Sequence, residues 1–281
     1  MEYQKRKIKK QSGELIDFDI NRLRDSLSRS GASIDEIEEI IDRIQPQIHD
    51  GISTKHIYKL AHKYLKKYSG AFAARYSLKR ALRDLGPAGF YFERWIAKFL
   101  ESYGYEAITN QTIQGDAVSH EADVIAKKGK ELLWIECKFK NSTDAKIPVT
   151  TPMYLLSRIK DISTQTYSLF GGDYKFTQGW LVTNVYLTSD AIAFGEFYGL
   201  NMLSWNYPER KSIKTLVDQK ALYPITCLTT LTKREKGYLL DQNCILISDI
   251  LKNPDILHSG FINHRNTSNI LKEVEGLLAI D

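Results

Sequence analysis

Hydrophobic and polar positions divide the chain into stretches of different period. Tyr3–Lys9 and Leu15–Phe18 read as two short strands around a turn at Gln11-Ser12-Gly13. The spacing then becomes helical. Asp19 is placed to cap a helix reaching about Ser30, Ser33 to cap a second with Glu36 three residues on, and Ser53 to cap a third reaching about Tyr68. Ile34, Ile37, Ile40, Ile41 and Ile44 form a stripe at helical spacing, which packing into a small core explains. A fourth helix, Phe72–Leu85, ends at Gly86-Pro87, the expected domain boundary.

Beyond that boundary the pattern changes character. A helix at Phe90–Tyr103 precedes short segments rich in β-branched and aromatic residues: Val124–Ala126, Leu132–Phe139, Trp180–Thr183 and Asn201–Trp205. Helices at Thr151–Phe170 and Ser189–Tyr198 fall between them. This order predicts a mixed sheet flanked by helices. From Ile213 the chain reads as mostly helical. The expected fold class is therefore α/β with several domains: a mostly helical region 1–86 with an N-terminal hairpin, a sheet domain 87–212 and a helical tail 213–281. A length of 281 residues agrees with more than one core.

Composition narrows the function classes. Hydrophobic residues at 43% and charged residues at 26% describe a chain that can bury a core. No apolar run approaches the roughly 20 residues that cross a bilayer, so no membrane span is expected. The basic segment Lys5–Lys10 is followed by polar residues where a secretion signal needs an apolar stretch. Cys137, Cys227 and Cys244 are odd in number and lack CxxC spacing, which points to a reducing cytoplasm over a disulfide framework. The net charge of +5 is concentrated early: residues 1–90 hold 18 basic and 12 acidic side chains, leaving the remainder near neutral. A nucleic-acid enzyme in that remainder would need its acidic groups gathered at one point, with basic groups around it.

One stretch has that character. His120-Glu121-Ala122-Asp123-Val124-Ile125-Ala126, a Lys-Gly turn and Leu132–Lys138 read as a β-hairpin. A four-residue loop at Lys127–Lys130 would pair Ala126 with Glu131 and set Glu136 diagonally from Asp123 on one face. Glu136 and Lys138 then share a face and Cys137 points the other way. Glu136 interrupts an apolar run, an expensive place for an acid that has no task. Two neighbouring carboxylates with one ammonium leave negative charge that Mg²⁺ or Mn²⁺ would balance, and hard oxygen ligands beside a phosphate suit such an ion. Glu93, on the preceding helix, is a candidate third oxygen. The competing reading makes these residues a solvated strand face paired with lysines.

These residues carry a resemblance. Asp123, Glu136-Cys137-Lys138 and the helical Glu93 resemble the active site of the PD-(D/E)XK nuclease superfamily, specifically its Mrr-like restriction endonuclease branch. Leu85–Glu93, Val118–Asp123, Glu136–Phe139 and Gly199–Pro208 look like successive blocks of that domain. The resemblance implies Asp123, Glu136 and the Cys137 carbonyl as metal ligands and Lys138 as the catalytic lysine, with Glu93 assisting. Residues 1–86 resemble an ATP-cone through Ile8-Lys9-Lys10, Phe18-Asp19, Gly51-Ile52-Ser53-Thr54 and Ala74-Arg75-Tyr76. That likeness implies ATP or dATP as a regulatory ligand, with Lys9, Lys10, Lys55 and Arg75 meeting phosphates. The expectation is a Mg²⁺-dependent DNA endonuclease tuned by an adenine nucleotide, acting as a homodimer or larger homo-oligomer. The alternative is a nucleotide-sensing DNA-binding protein of nuclease-like fold that does not cleave.

Overall fold

The computed structural model describes residues 6–10, 13–86, 89–142 and 144–279. The start of the first expected strand, the Gln11-Ser12 turn and the Pro87 stop lie outside them. The chain begins with an antiparallel pair, β1 (Lys7–Lys9) and β2 (Leu15–Asp17). Helices α1 (Ile20–Ser28), α2 (Ile34–Ile44) and α3 (Thr54–Tyr68) follow, each begun by the residue its sequence offers. Asp19 accepts from the Asn21 amide, Ser53 accepts from His56, and Ser33 with Glu36 closes a reciprocal capping box. Ile37, Ile40, Ile41 and Ile44 are buried, while Ile34 is exposed and outside the stripe.

The expected fourth helix is two helices, α4 (Gly70–Tyr76) and α5 (Leu78–Arg83). They meet at Ser77, whose hydroxyl donates to the Ala74 carbonyl instead of leaving the ladder undisturbed. Their apolar faces diverge. Ala73 packs into the N-terminal core beside Ile40 and Leu65. Ala74, Leu78, Leu82 and Leu85 join a second core that continues through the sheet and the C-terminal helices. The apolar packing thus runs unbroken across Gly86.

Next come α6 (Phe90–Ser102), β3 (Glu106–Gln114), β4 (Ser119–Lys128), β5 (Glu131–Lys138), β6 (Lys146–Ile147) and α7 (Thr150–Ile162). They lead to β7 (Tyr167–Leu169), β8 (Gly172–Tyr174), β9 (Gln178–Thr183), β10 (Tyr186–Leu187), α8 (Ser189–Phe197) and β11 (Asn201–Leu203). The main sheet has the order β11-β9-β5-β4-β3, parallel across its first three strands and antiparallel across the last three. This is the predicted mixed sheet. Its edge strand β3 was not expected, and the helix expected over Thr151–Phe170 stops at Ile162, its last part being the β7–β8 hairpin.

The sheet separates two apolar layers. Val124, Ala126, Leu133, Ile135 and Cys137 face α6, whose Phe92, Trp95 and Ile96 cover them. Ile125, Leu132 and Trp134 face Leu155 and Ile162 of α7. The C-terminal helices α9 (Ile213–Lys220), α10 (Lys233–Asp241), α11 (Ile247–Lys252) and α12 (Thr267–Leu278) close the first layer from the side, with α12 packed on α4. No helix among the described residues is long and apolar enough to cross a membrane.

Candidate active site

The β4–β5 hairpin has a tighter turn than the spacing suggested. Lys128 pairs with Glu131, so Gly129 and Lys130 alone form the loop and the register moves by two from the expected pairing of Ala126 with Glu131. Gly129 has φ +59°, a conformation that a short hairpin turn demands and glycine adopts freely. A shift of two keeps the alternation of faces. Glu136 and Lys138 accordingly lie on the Trp134 side and Cys137 on the α6 side.

Asp123 sits where β4 breaks step. The pairing of β3 with β4 is interrupted at Asn110 and Asp123, and Asn110 has φ +59°. Ala122 and Val124, two residues apart, point into opposite layers. The break skips one residue on each strand and leaves the register unchanged; Asp123 there reaches the end of β5, where its Oδ2 accepts from the Cys137 amide at 2.6 Å. Glu136 Oε1 receives the Lys138 ammonium at 2.5 Å. Glu136 is 2% exposed, and its other oxygen is held by Arg158 Nη1 at 2.8 Å. Arg158 also donates to the Glu121 carbonyl at 3.0 Å and to the Tyr154 hydroxyl at 2.8 Å.

Sequence reasoning missed Arg158. Its only local signal is a position on the inner side of α7, one turn beyond Tyr154, and no pattern ties a helical arginine to a strand glutamate 22 residues earlier. His120, by contrast, is engaged with Asp161 at 2.7 Å and fixes the loop before β4. Gln165 and Tyr167 likewise hold structure, donating to Asp116 and to backbone carbonyls.

Glu93 stands in the first turn of α6, which begins at Gly89 with φ +87°. Burial, then the negative charges of Asp123, Glu121 and Glu136, push its carboxyl up to about 7, against Lys138. Burial and Glu136 raise Asp123 to about 6, partly offset by the Cys137 amide, Lys138 and Arg158. The Cys137 thiol is driven well above its ordinary value by burial and by these acids, so it is an inert packing group. Glu93, Asp123, Glu136 and Lys138 therefore share one electrostatic site at the C-terminal end of β5. The end of that strand is held in place: Thr183 donates to the Lys138 carbonyl, and the Asn184 amide brackets the backbone of Lys140.

The donor set fits a hard divalent cation. The neighbouring acids that help raise Glu93 and Asp123 leave repulsion that a cation would relieve. Among the described residues, no three His, Cys, Asp or Glu side chains converge into a ready-made cage. An ion here would draw on one or two carboxylates, backbone oxygen and water, as Mg²⁺ does.

The four expected phosphate contacts of the N-terminal region are not brought together. Lys9, exposed at the end of β1, forms a bridge with Ser53 beside α3, close to exposed Lys55 at the start of that helix. Lys10 pairs with Glu14 at 2.8 Å. Between the hairpin and the helices lies a cleft of about 260 Å³ walled by Ile16, Phe18, Arg22, Thr54, Tyr58 and Tyr76. Arg75 lies elsewhere, donating to the Gly276 and Ala279 carbonyls at the C-terminal end of α12.

Comparison with known proteins assigns the chain. Residues 6–85 match the family model described as ATP cone domain, residues 86–154 that of archaeal Holliday junction resolvase (hjc), and residues 223–278 that of AF1548-like, C-terminal. An uncharacterized protein of Archaeoglobus fulgidus is 36% identical over 137 residues, covering 47% of this chain and 71% of that protein. The chain belongs to the AF1548-like family. A crystal structure titled as that of AF1548, a protein of unknown function, matches with a TM-score of 0.54 and 27% identity, over 67% of this chain and 97% of the other. The family member described here thus carries an ATP-cone and a nuclease-like domain of the PD-(D/E)XK type, and its tail is a family feature in its own right.

Proposed function

We propose that the chain is a divalent-metal-dependent DNA endonuclease whose first substrates to examine are four-way junctions, with the ATP-cone as its nucleotide-responsive part. The observation that carries this reading is the meeting of Asp123, Glu136 and Lys138 at the end of β5, with Glu93 facing them from α6. Asp123, Glu136 and the Cys137 carbonyl would hold the ion, and Glu93 would add an oxygen directly or through water. When bound, Mg²⁺ supplies charge stabilisation at the phosphodiester and a lowered pKa for attacking water. Lys138, partly exposed beyond Glu136, is placed to orient that water or offset charge on the phosphate. Arg158 holds Glu136 fixed in direction. The domains implied are 1–86, 87–212 and 213–281, with two copies cutting the two strands of a substrate and the cytoplasm as the compartment.

The test is incubation of purified protein with four-way junction, supercoiled and linear duplex DNA in Mg²⁺ or Mn²⁺. Cleavage that persists undiminished in Asp123→Asn and Lys138→Ala sinks the assignment. ATP or dATP at saturation should alter cleavage or sedimentation, and unchanged values remove the regulatory role. A second reading, DNA binding without cleavage, draws on Glu136 having both oxygens engaged by cationic side chains. It predicts tight junction binding with no metal-dependent product under any nucleotide condition.

A further inference from the structure

The junction between the ATP-cone and the rest of the chain gathers basic side chains from three separate elements. Arg29 follows α1, Arg75 is on α4 and Lys214 is on α9, and all three line a cavity of about 120 Å³ together with Trp205 and Asp218. A second cavity of about 220 Å³ shares Arg29, Arg75 and Asp218 as its wall. Among the described residues, none of the three cations has a carboxylate within 4.0 Å. Asp218 is engaged by the Tyr223 hydroxyl at 2.9 Å. Like charges from different parts of the chain, Arg75 and Lys214 half-buried and Arg29 exposed, thus converge on one cavity with one acid among them, an arrangement that an anion would complete.

Local structure holds this group in place. Gly31 has φ +89°, and a Cβ there would stand 2.7 Å from Arg75 Nη1, so the glycine leaves room for the guanidinium. Arg75 Nη2 is spent on the Ala279 carbonyl at 2.7 Å, whereas its buried Nε has no partner among the described residues. Burial and Arg29 together press the Lys214 ammonium toward its neutral form.

We infer that this interdomain cavity is a binding site for a single phosphate group, held by Arg29, Arg75 and Lys214. The lining decides the class. A space of about 120 Å³ walled by three cations takes one tetrahedral oxyanion, and the adjoining cavity that shares Arg29 and Arg75 leaves room for whatever carries it. Arginine forks are matched to phosphate oxygens, and two of the three cations are arginines. The walls come from the ATP-cone on one side and from α9 and Trp205 on the other, so occupancy ties the two together. The cavity adjoins the cleft beside β1, sharing Ser26 and Tyr76 with it, but its three cations line no part of that cleft; it has no residue in common with the carboxylate site on β5 and stands whether or not the chain cleaves DNA. The phosphate has two possible sources, free orthophosphate or the phosphate of a mononucleotide.

Calorimetric titration of the full chain with orthophosphate, with AMP and with ATP, in chloride buffer of matched ionic strength, tests the site. Binding of orthophosphate in the wild type should weaken about tenfold or more in Arg29→Gln and in Lys214→Gln, the loss expected for one charged contact. It should persist in Lys214→Arg and in the double variant Lys9→Gln/Lys10→Gln. Binding of AMP or ATP alone, with the same sensitivity to Arg29→Gln and Lys214→Gln, identifies a nucleotide as the source. No binding of any of the three, or binding equal in wild type, Arg29→Gln and Lys214→Gln, overturns the inference. Circular dichroism of each variant separates a lost site from a lost fold.

Discussion

Arg158 Nη1 meets Glu136 Oε2 at 2.8 Å on the side of the carboxylate opposite Lys138. A helix side chain thereby neutralises a strand acid that is otherwise sealed from water. Removing Arg158 leaves the buried Glu136 with Lys138 as its one cation, so the loss falls short of that for a fully unpaired buried charge. Arg158→Leu should lower stability by about 2–3 kcal/mol in urea unfolding. The double variant Arg158→Leu/Glu136→Gln should recover part of that loss, a coupling that independent sites would not show.

Cleavage should depend on the carboxylate that β4 delivers. Asp123→Asn keeps size and can still accept from the Cys137 amide, but it removes a negative charge from the ion's position. Junction cleavage in Mg²⁺ is expected to drop by about 100-fold or more, with the circular dichroism spectrum unchanged. Lys138→Ala should give a comparable loss while leaving metal binding measurable.

The raised carboxyls set a pH dependence of stability. Asp123 at about 6 and Glu93 at about 7 bind protons more tightly in the folded protein than in the unfolded chain. Their contribution is therefore most favourable below the ordinary carboxylate range and is lost as pH rises through about 6 to 7. Without divalent ions, wild type should lose on the order of 1–2 kcal/mol relative to Asp123→Asn between pH 5 and pH 8, after allowance for solvent screening. Added Mn²⁺ should stabilise the wild type more at pH 8 than at pH 5, and equal stabilisation at both would contradict the proposed ligand set.

Ser33 offers a control remote from the site. Its hydroxyl and the Glu36 carboxylate satisfy amides at the start of α2. Ser33→Ala should cost about 1 kcal/mol in thermal unfolding and leave cleavage per folded molecule unchanged.

Much of this molecule is written locally. The caps at Asp19, Ser33 and Ser53, the isoleucine stripe of α2 and the alternation that puts Glu136 and Lys138 on one face each depend on residues a few positions apart. Neighbour-to-neighbour geometry sets them, so periodicity reads them. Strand β3 escaped because an edge strand half open to solvent, Glu106–Gln114, carries mostly polar residues and gives little apolar signal. The split at Ser77 escaped because its two halves serve different cores, a fact about packing partners.

What tertiary structure alone decided concerns contacts between distant segments. The break in step at Asp123 depends on the pairing of β4 with β3, and the seat of Arg158 depends on α7 lying across the sheet. Arg75, grouped by sequence with Lys9, Lys10 and Lys55, is drawn away by carbonyls some two hundred residues further along the chain. The sequence by itself determined that two acids and a lysine, Asp123, Glu136 and Lys138, sit close together on one hairpin. Only the fold decided which of them meet, because burial and charge act through space and long-range contacts leave no period in the chain.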